Sequence, residues 1–340
     1  MYGNSDQLVV GVGNPFIDSF ISLPLQAREK IQDITSGYVH VSPENFLQVL
    51  AYVRYAYPDY ASHIVSRVGG GALRTLQMLH AASIPVRYYG AVGSDDAGLF
   101  MRRQLEETGM DCCLQQHDGI TASMMYITYL GGSSNICECV CAPGVSHKLF
   151  FTVPADAQHL YIEGYLGEST QVWRELNILF QQAPHSIRAG TLVMIDAGTA
   201  DAAQRIAALT AAHTQEQIVL ILCGTEDELI ALHAVKNQET LIKKGIILIT
   251  KRAERGASVH AREGNWHHPS LADNAEGHRS VGAGDAFSAG FLSCMLRANP
   301  SERRNPGVLQ ESLALGSVYA ARHIAGSVSQ QEINQCRRTP

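Results

Sequence analysis

HLYIEGY (159–165), TLVMIDA (191–197), IVLILCG (218–224) and GIILITK (245–251) are four apolar runs at similar spacing in one part of the chain. Each is rich in Val, Ile and Leu without polar alternation, the pattern of a strand covered on both faces. Helical segments separate them. Strand–helix alternation of this kind builds a mostly parallel sheet between two helical layers. Upstream, QLVVGVG (7–13) reads as another buried strand that ends on glycines.

Between that strand and the regular half of the chain the pattern is mixed. Residues 43–55 read as a helix: Ser42 suits the N-cap, Pro43 the first turn, and Phe46, Leu47, Leu50 and Val53 share one face. Gly69-Gly70-Gly71 precedes a second helix around 72–82, followed by a strand at 85–91 and a helix at 97–108. Residues 121–130 and 136–142 predict two strands about the turn GGSSN. The β-rich stretches 17–42 and 119–141 do not fit the alternation and are assigned to a small accessory sheet. The expected division is therefore 1–16, 43–118 and 142–340 in a large α/β domain, with 17–42 and 119–141 in a small lid.

Composition fits a packed globular protein: of 340 residues, 46% are hydrophobic and 17% charged. A formal net charge of −6 advertises neither nucleic acid nor an anionic membrane as partner. No apolar run reaches the ~18 residues of a membrane span. The N-terminus lacks the basic and apolar regions of a secretory signal. Eight cysteines without framework spacing suit a reducing cytosol, so a cytoplasmic protein is expected.

The chemistry is concentrated in SVGAGDAFSAGFL, residues 280–292. Gly282, Ala283 and Gly284 lead into an apolar helix. Bare backbone N–H groups at such a helix start, with the helix dipole, make an anion site. Asp285 sits in the first turn beside it, where a carboxylate can accept the proton of an attacking hydroxyl. Phosphoryl transfer needs little more than this, because positioning and electrostatics dominate it.

GAGDAFSAGF resembles the second signature of the ribokinase-like (PfkB) carbohydrate kinase family. GNPFID (13–18) is similar to the opening of that family's adenosine kinases, and Gly69-Gly70 to its diglycine switch. The order of segments matches from Leu8 to about Gly326. The resemblance implies a ribokinase-like three-layer helix–sheet–helix sandwich with a β-sheet lid over the substrate. It implies ATP with Mg²⁺, leaves room for a monovalent cation, and fits a monomer or homodimer acting on a small molecule, with the hydroxymethyl group of a nucleoside such as adenosine the first expectation and a free sugar or sugar phosphate the second. By position, Asp18 corresponds to the aspartate that takes two sugar hydroxyls, with Asn14, Gly69 and Gly70 beside it. Glu228, in GTEDE, corresponds to the carboxylate that organises Mg²⁺ through water. Thr225, Thr250, Gly256, Gly316 and Ser317 correspond to residues along the nucleotide. Asp285 corresponds to the general base, with Gly282, Ala283 and Gly284 as the anion hole.

Several positions depart from the family pattern. Arg74 and Ser146 stand where asparagines are usual, as does Thr225, and Arg279-Ser280 replaces Asp-Thr before the GAGD turn. The lid turn lacks an arginine that many adenosine kinases carry. These changes fall mostly on the acceptor side. They favour altered specificity, and they motivate a rival expectation, a weakly active or non-catalytic ligand-binding protein on the same fold. Cys137, Cys139 and Cys141 alternate along one strand face and read as buried small apolar residues. His267, His268 and His278 read as exposed loop histidines. GVGNPF lacks the third glycine of a dinucleotide fingerprint, and no P-loop or nucleophile elbow is present.

Overall fold

The computed structural model describes residues 7–131, 136–168, 170–182, 190–198, 218–233, 238–272 and 281–326. Its strands are β1 (Val9–Val12), β2 (Phe16–Pro24), β3 (Val65–Gly69), β4 (Val86–Gly93), β5 (Asp111–His117), β6 (Ser123–Leu130), β7 (Ile136–Ala142), β8 (His159–Glu163), β9 (Thr191–Asp196), β10 (Ile218–Thr225), β11 (Ile247–Lys251), β12 (Ala257–Ala261) and β13 (Gly264–His268). The described helices are α1 (Ala27–Thr35), α2 (Pro43–Ala56), α3 (Pro58–Ala61), α4 (Gly71–Ala81), α5 (Asp96–Thr108), α6 (Thr170–Gln182), α7 (Glu226–His233), α8 (Gln238–Lys243), α9 (Ala283–Arg297) and α10 (Pro306–Ile324).

Nine strands form one sheet in the order β13-β12-β11-β10-β9-β8-β1-β4-β5. The strands from β11 to β5 run parallel; β12 and β13 close one edge antiparallel. Alternate residues of each central strand enter two different cores. Leu192, Met194, Val219 and Ile221 pack with α4, α9 and α10. Val193, Ile195, Leu220 and Leu222 pack with α6, α7 and α8. This double burial is the reason those strands carry no polar alternation, and it makes the expected three layers.

The second sheet has four strands in the order β3-β2-β6-β7. One of its faces is sealed: Ile21, Leu23, Ile127 and Tyr129 pack on Ile31 of α1 and on Phe46, Val49 and Val53 of α2. The opposite face presents Asp18, Phe20, Arg67 and Tyr126, with Asp18 in register with both Arg67 and Met124. No helix among the described residues is long and apolar enough to cross a membrane.

Several expectations are corrected. Residues 43–69 were assigned to the large domain, but β3 pairs with β2 and α2 covers the small sheet. Leu47 is exposed and Val49 takes the buried place beside Phe46 and Val53. The stretch 17–42 is not all strand, because Ala27, Ile31 and Thr35 recur every four residues and bury one side of a helix. His267 and His268 lie in β13, not in a loop, because the chain turns at Gly264 and pairs back on β12. His278 and residues 132–135 of the lid turn lie outside the described residues. Of the three alternating cysteines only Cys141 is buried; Cys137, toward the open end of β7, is exposed.

Candidate active site

The chemistry-bearing residues gather at the carboxyl ends of the parallel strands, the edge where open α/β sheets bind ligands. Asn14 follows β1, Glu163 ends β8, Asp196 ends β9, Thr225 ends β10 and Lys251 ends β11. Helix α9 opens onto this edge. Its N-cap, Gly282, has φ 92°, a left-handed conformation that suits glycine. From Ala286 to Leu296 the helix is buried on all sides, so its first turn is held rigidly. Thr75 of α4 donates to the Asp285 carbonyl at 3.3 Å, tying the two helices at the site.

Asp285 follows the cleft-lining Ala283 and Gly284 and stands beside Gly71 and Arg74, so it lies between two regions. On one side is a cleft of about 560 Å³ lined by Thr225, Lys251, Gly256, Ala283, Gly284 and Ser317. On the other are the acceptor candidates. A Cβ on Gly69 would collide with the Asp18 carboxylate, and one on Gly70 (φ 106°) would lie 2.5 Å from the Asn14 carbonyl oxygen. A Cβ on Gly71 would lie 3.1 Å from Asp285 Oδ1. The glycine run thus packs its backbone directly against the three polar residues. Asn14 Oδ1 is buried and has no hydrogen-bond partner among the described residues. A further cavity of about 460 Å³, lined in part by Tyr126, Cys139 and Val281, runs between the small sheet and the turn before α9.

Two cations reach Asp285. Arg74 in the first turns of α4 pairs through Nη2 with Asp18 Oδ2, and its Nη1 stands 3.8 Å from Asp285 Oδ2. Lys251 donates to Asp196 Oδ2 at 2.8 Å and borders Gly284. Burial pushes the Asp285 carboxyl up to about 6, against the pull of Arg74 and Lys251. Burial likewise raises Asp18, with Arg74 and Arg67 opposing it. Burial lowers Lys251, but Asp196, Cys223 and Tyr161 overcome this and hold its ammonium well above the ordinary range.

Sequence reasoning missed Glu163. Its Oε2 accepts from the backbone N–H of Asn14 (3.2 Å) and Ala72 (3.1 Å), and its Oε1 from Gly71 (3.3 Å). One carboxylate therefore pins the end of β1 to the start of α4. Burial pushes it up to about 8 despite the three donors. Asp196 and Lys251 were missed as well. The available signal was common to all three: a lone charge closing an otherwise apolar strand.

The nucleotide-side candidates divide. Thr225, Gly256 and Ser317 line the cleft; Thr250 is buried within the sheet, in register with Gly224 and Ser258. Gly316 lies under Phe287, where a Cβ would come within 2.8 Å of the ring, so it serves the close approach of α9 and α10. Thr225 and Glu228 form a reciprocal cap on α7: Glu228 Oε2 accepts from Thr225 N–H at 2.9 Å, and Thr225 Oγ1 accepts from Glu228 N–H at 3.4 Å. Burial raises the Glu228 carboxyl, opposed by the Thr225 amide. Ser146 donates to the Pro143 carbonyl at 3.0 Å and so serves its own turn. Arg279 and Ser280 lie outside the described residues.

The chain is 24% identical over 274 residues to the ATP-dependent ribose-1-phosphate kinase of Halopiger xanaduensis, covering 76% of this chain and 82% of that protein. Adenosine kinase from Schistosoma mansoni in complex with 2-fluoroadenosine superposes with a TM-score of 0.71 at 17% identity, over 95% of this chain and 98% of that one. A probable sugar kinase from Rhizobium etli gives 0.70 at 17% identity, over 96% and 99%. At such identity the two superpositions speak for the fold alone. Residues 45–332 match the description pfkB family carbohydrate kinase, and with most of its length inside that match the chain belongs to the pfkB family.

Proposed function

We propose that the protein transfers the γ-phosphoryl group of ATP to the hydroxymethyl group of a sugar or nucleoside, with Asp285 as general base. The observation that carries this reading is the position of Asp285, in the first turn of a buried helix with a nucleotide-sized cleft on one side and Asp18, Asn14 and the glycine run on the other. ATP lies along the turn at 282–284, whose N–H groups take the charge that spreads over the phosphoryl oxygens. The acceptor oxygen attacks the γ-phosphorus, the bond to ADP breaks, and the acceptor proton passes to Asp285. Asp18 and the free Oδ1 of Asn14 orient the acceptor through its hydroxyls.

Magnesium favours one or two carboxylates with phosphate oxygens and water, and it supplies charge neutralisation to the phosphates. Glu228 suits that role through a water molecule, being a half-buried carboxyl group bonded to the cleft-lining Thr225. The four-stranded sheet acts as a lid, hinged where Glu163 holds Gly71 and Ala72. Closing it excludes water from the transfer.

The test is ADP release with a panel of nucleosides, sugars and sugar phosphates, comparing the wild type with Asp285→Asn. Turnover by the wild type, lost in the variant with ATP affinity kept, is expected. Tight binding of one panel member without any turnover overturns the reading in favour of a binding protein on the kinase fold.

A further inference from the structure

Burial holds α9 firmly from Ala286 onward. Ahead of that point residues 281–285 are half-buried, and Gly282, Ala283 and Gly284 offer no side chain larger than a methyl group. Gly282 stands at φ 92°, and glycine passes between left- and right-handed backbone at little cost. The direction of the N–H groups in such a turn has to be set from outside it. Two side-chain donors bracket the turn. At one end Thr75 of α4 donates to the Asp285 carbonyl at 3.3 Å. At the other end His323, in the last turn of α10, places Nε2 2.8 Å from the Val281 carbonyl oxygen.

A histidine in a last helical turn ordinarily serves its own helix, whose final carbonyls lack partners. This one reaches instead to a residue 42 positions earlier. A carbonyl oxygen only accepts, so Nε2 carries the proton and donates. Burial keeps the ring below its ordinary value against the pull of that carbonyl, and Arg74 and Arg67 push the same way as burial. The neutral ring therefore gives its single N–H to Val281. A Cβ on Gly282 would lie 3.0 Å from both His323 Nε2 and Arg74 Nη1, so imidazole and guanidinium meet against one side of the Gly282 backbone.

The peptide unit is planar and trans, so its carbonyl and its N–H point opposite ways. Holding the Val281 carbonyl toward His323 turns the Gly282 N–H away from it and fixes the angle at which the chain enters α9. We propose that His323 is a positioning residue for phosphoryl transfer: through the Val281 carbonyl it fixes the N–H groups of the turn at 282–284 against the transferring group. The inference rests on the kinase reading above and adds to it a residue that touches neither ATP nor acceptor. Donors aimed in advance count most where charge develops, so the hold favours the transition state far more than the bound substrates.

The test compares His323→Gln with His323→Asn in the full chain. Both keep a polar amide, but only the longer side chain brings an N–H to the place of Nε2. ADP release is followed with ATP and whichever of adenosine, ribose and ribose 1-phosphate the wild type turns over fastest. Calorimetry measures binding of a non-hydrolysable ATP analogue, and urea midpoints report folding. His323→Asn should lower kcat by about 10- to 100-fold, with KM for the acceptor and affinity for the analogue within about twofold of the wild type. His323→Gln should recover most of kcat. A wild-type kcat in His323→Asn overturns the role. An equal loss in both variants overturns it too, because the packing of the ring and not its N–H would then matter. A loss of analogue affinity that matches the loss of kcat makes His323 part of ground-state nucleotide binding and likewise overturns it. These three results leave the kinase reading standing. No ADP release by the wild type with any acceptor overturns the kinase reading itself, and the positioning role falls with it.

Discussion

Gly69 and Asp18 are 51 positions apart, yet a single methyl group on Gly69 would strike the Asp18 carboxylate. Gly69 ends β3 and is the register partner of Phe16 on β2, so the contact is built into the pairing of the two strands. Gly69→Ala should push Asp18 off its position and disturb its bond to Arg74. A displacement near 1 Å at a positioning residue costs on the order of 100-fold. The expected outcome is a kcat/KM for the acceptor lower by that order, with ATP affinity retained when measured by calorimetry. Equal loss of ATP binding would point to a general folding defect.

In the proposed transfer Asp285 must be ionised to take a proton, and burial raises its carboxyl to about 6. Turnover should therefore rise with pH up to about 6 and level off above it, falling about tenfold per unit on the acid side. Arg74 and Lys251 oppose the upward shift, so Arg74→Gln should move the midpoint of the profile to higher pH. Asp285→Asn should lose about 100- to 10,000-fold in kcat and flatten the remaining profile. A pH–rate curve for the variant that still bends near 6 would assign the base elsewhere.

The readable parts of this molecule were those written in contiguous residues. The apolar runs at 191–197 and 218–224 announce strands covered on both faces, and GAGD announces a helix start. GNPFID and Gly69-Gly70 are local motifs, and the fold brings Asn14, Asp18 and the diglycine together. Glu163, Asp196 and Lys251 were not legible, because their meaning comes from neighbours far along the chain. Glu163 matters through the amides of Asn14, Gly71 and Ala72, and Asp196 through Lys251, 55 positions away. Gly316 shows a packing demand that its motif does not announce: Phe287 lies against it. The helix at 27–35 was obscured because only three of its residues are fully buried.

Glu163 links the junction of β1 and α4 to pH. Its folded value of about 8 stands above its ordinary 4.5, so the folded state binds the proton more tightly than the unfolded state. Its contribution to stability is full below about 4.5 and is lost as the pH rises through about 8. Asp285, raised to about 6, adds to this slope on its own acid side, while His159 and His323, held below the ordinary histidine value of 6.5, oppose it until the pH has passed that value. Chemical denaturation across the slightly alkaline range below about 8 should therefore show stability falling with pH. Glu163→Gln keeps an oxygen acceptor for the backbone amides and should flatten this slope. An equally steep slope in the variant would assign the linkage to another group.

Lys251 and Asp196 join the strand ends β11 and β9 across β10 at 2.8 Å, and both side chains are largely buried, 15% and 12% exposed. Tyr161 also donates to Asp196 Oδ2, at 3.2 Å. Removing one member of a buried pair leaves an uncompensated charge, a loss of about 3–5 kcal/mol. Lys251→Met should therefore destabilise strongly in urea denaturation, and adding Asp196→Asn should recover most of the loss, because the neutral pair leaves no charge stranded. Function separates from stability here. Lys251 lines the nucleotide cleft beside Gly284, and the recovered double variant still lacks a cation there. It should fold normally yet show a raised KM for ATP. If the double variant binds ATP as the wild type does, Lys251 serves the sheet alone and the positive potential at the phosphates comes from the turn at 282–284 and Arg74.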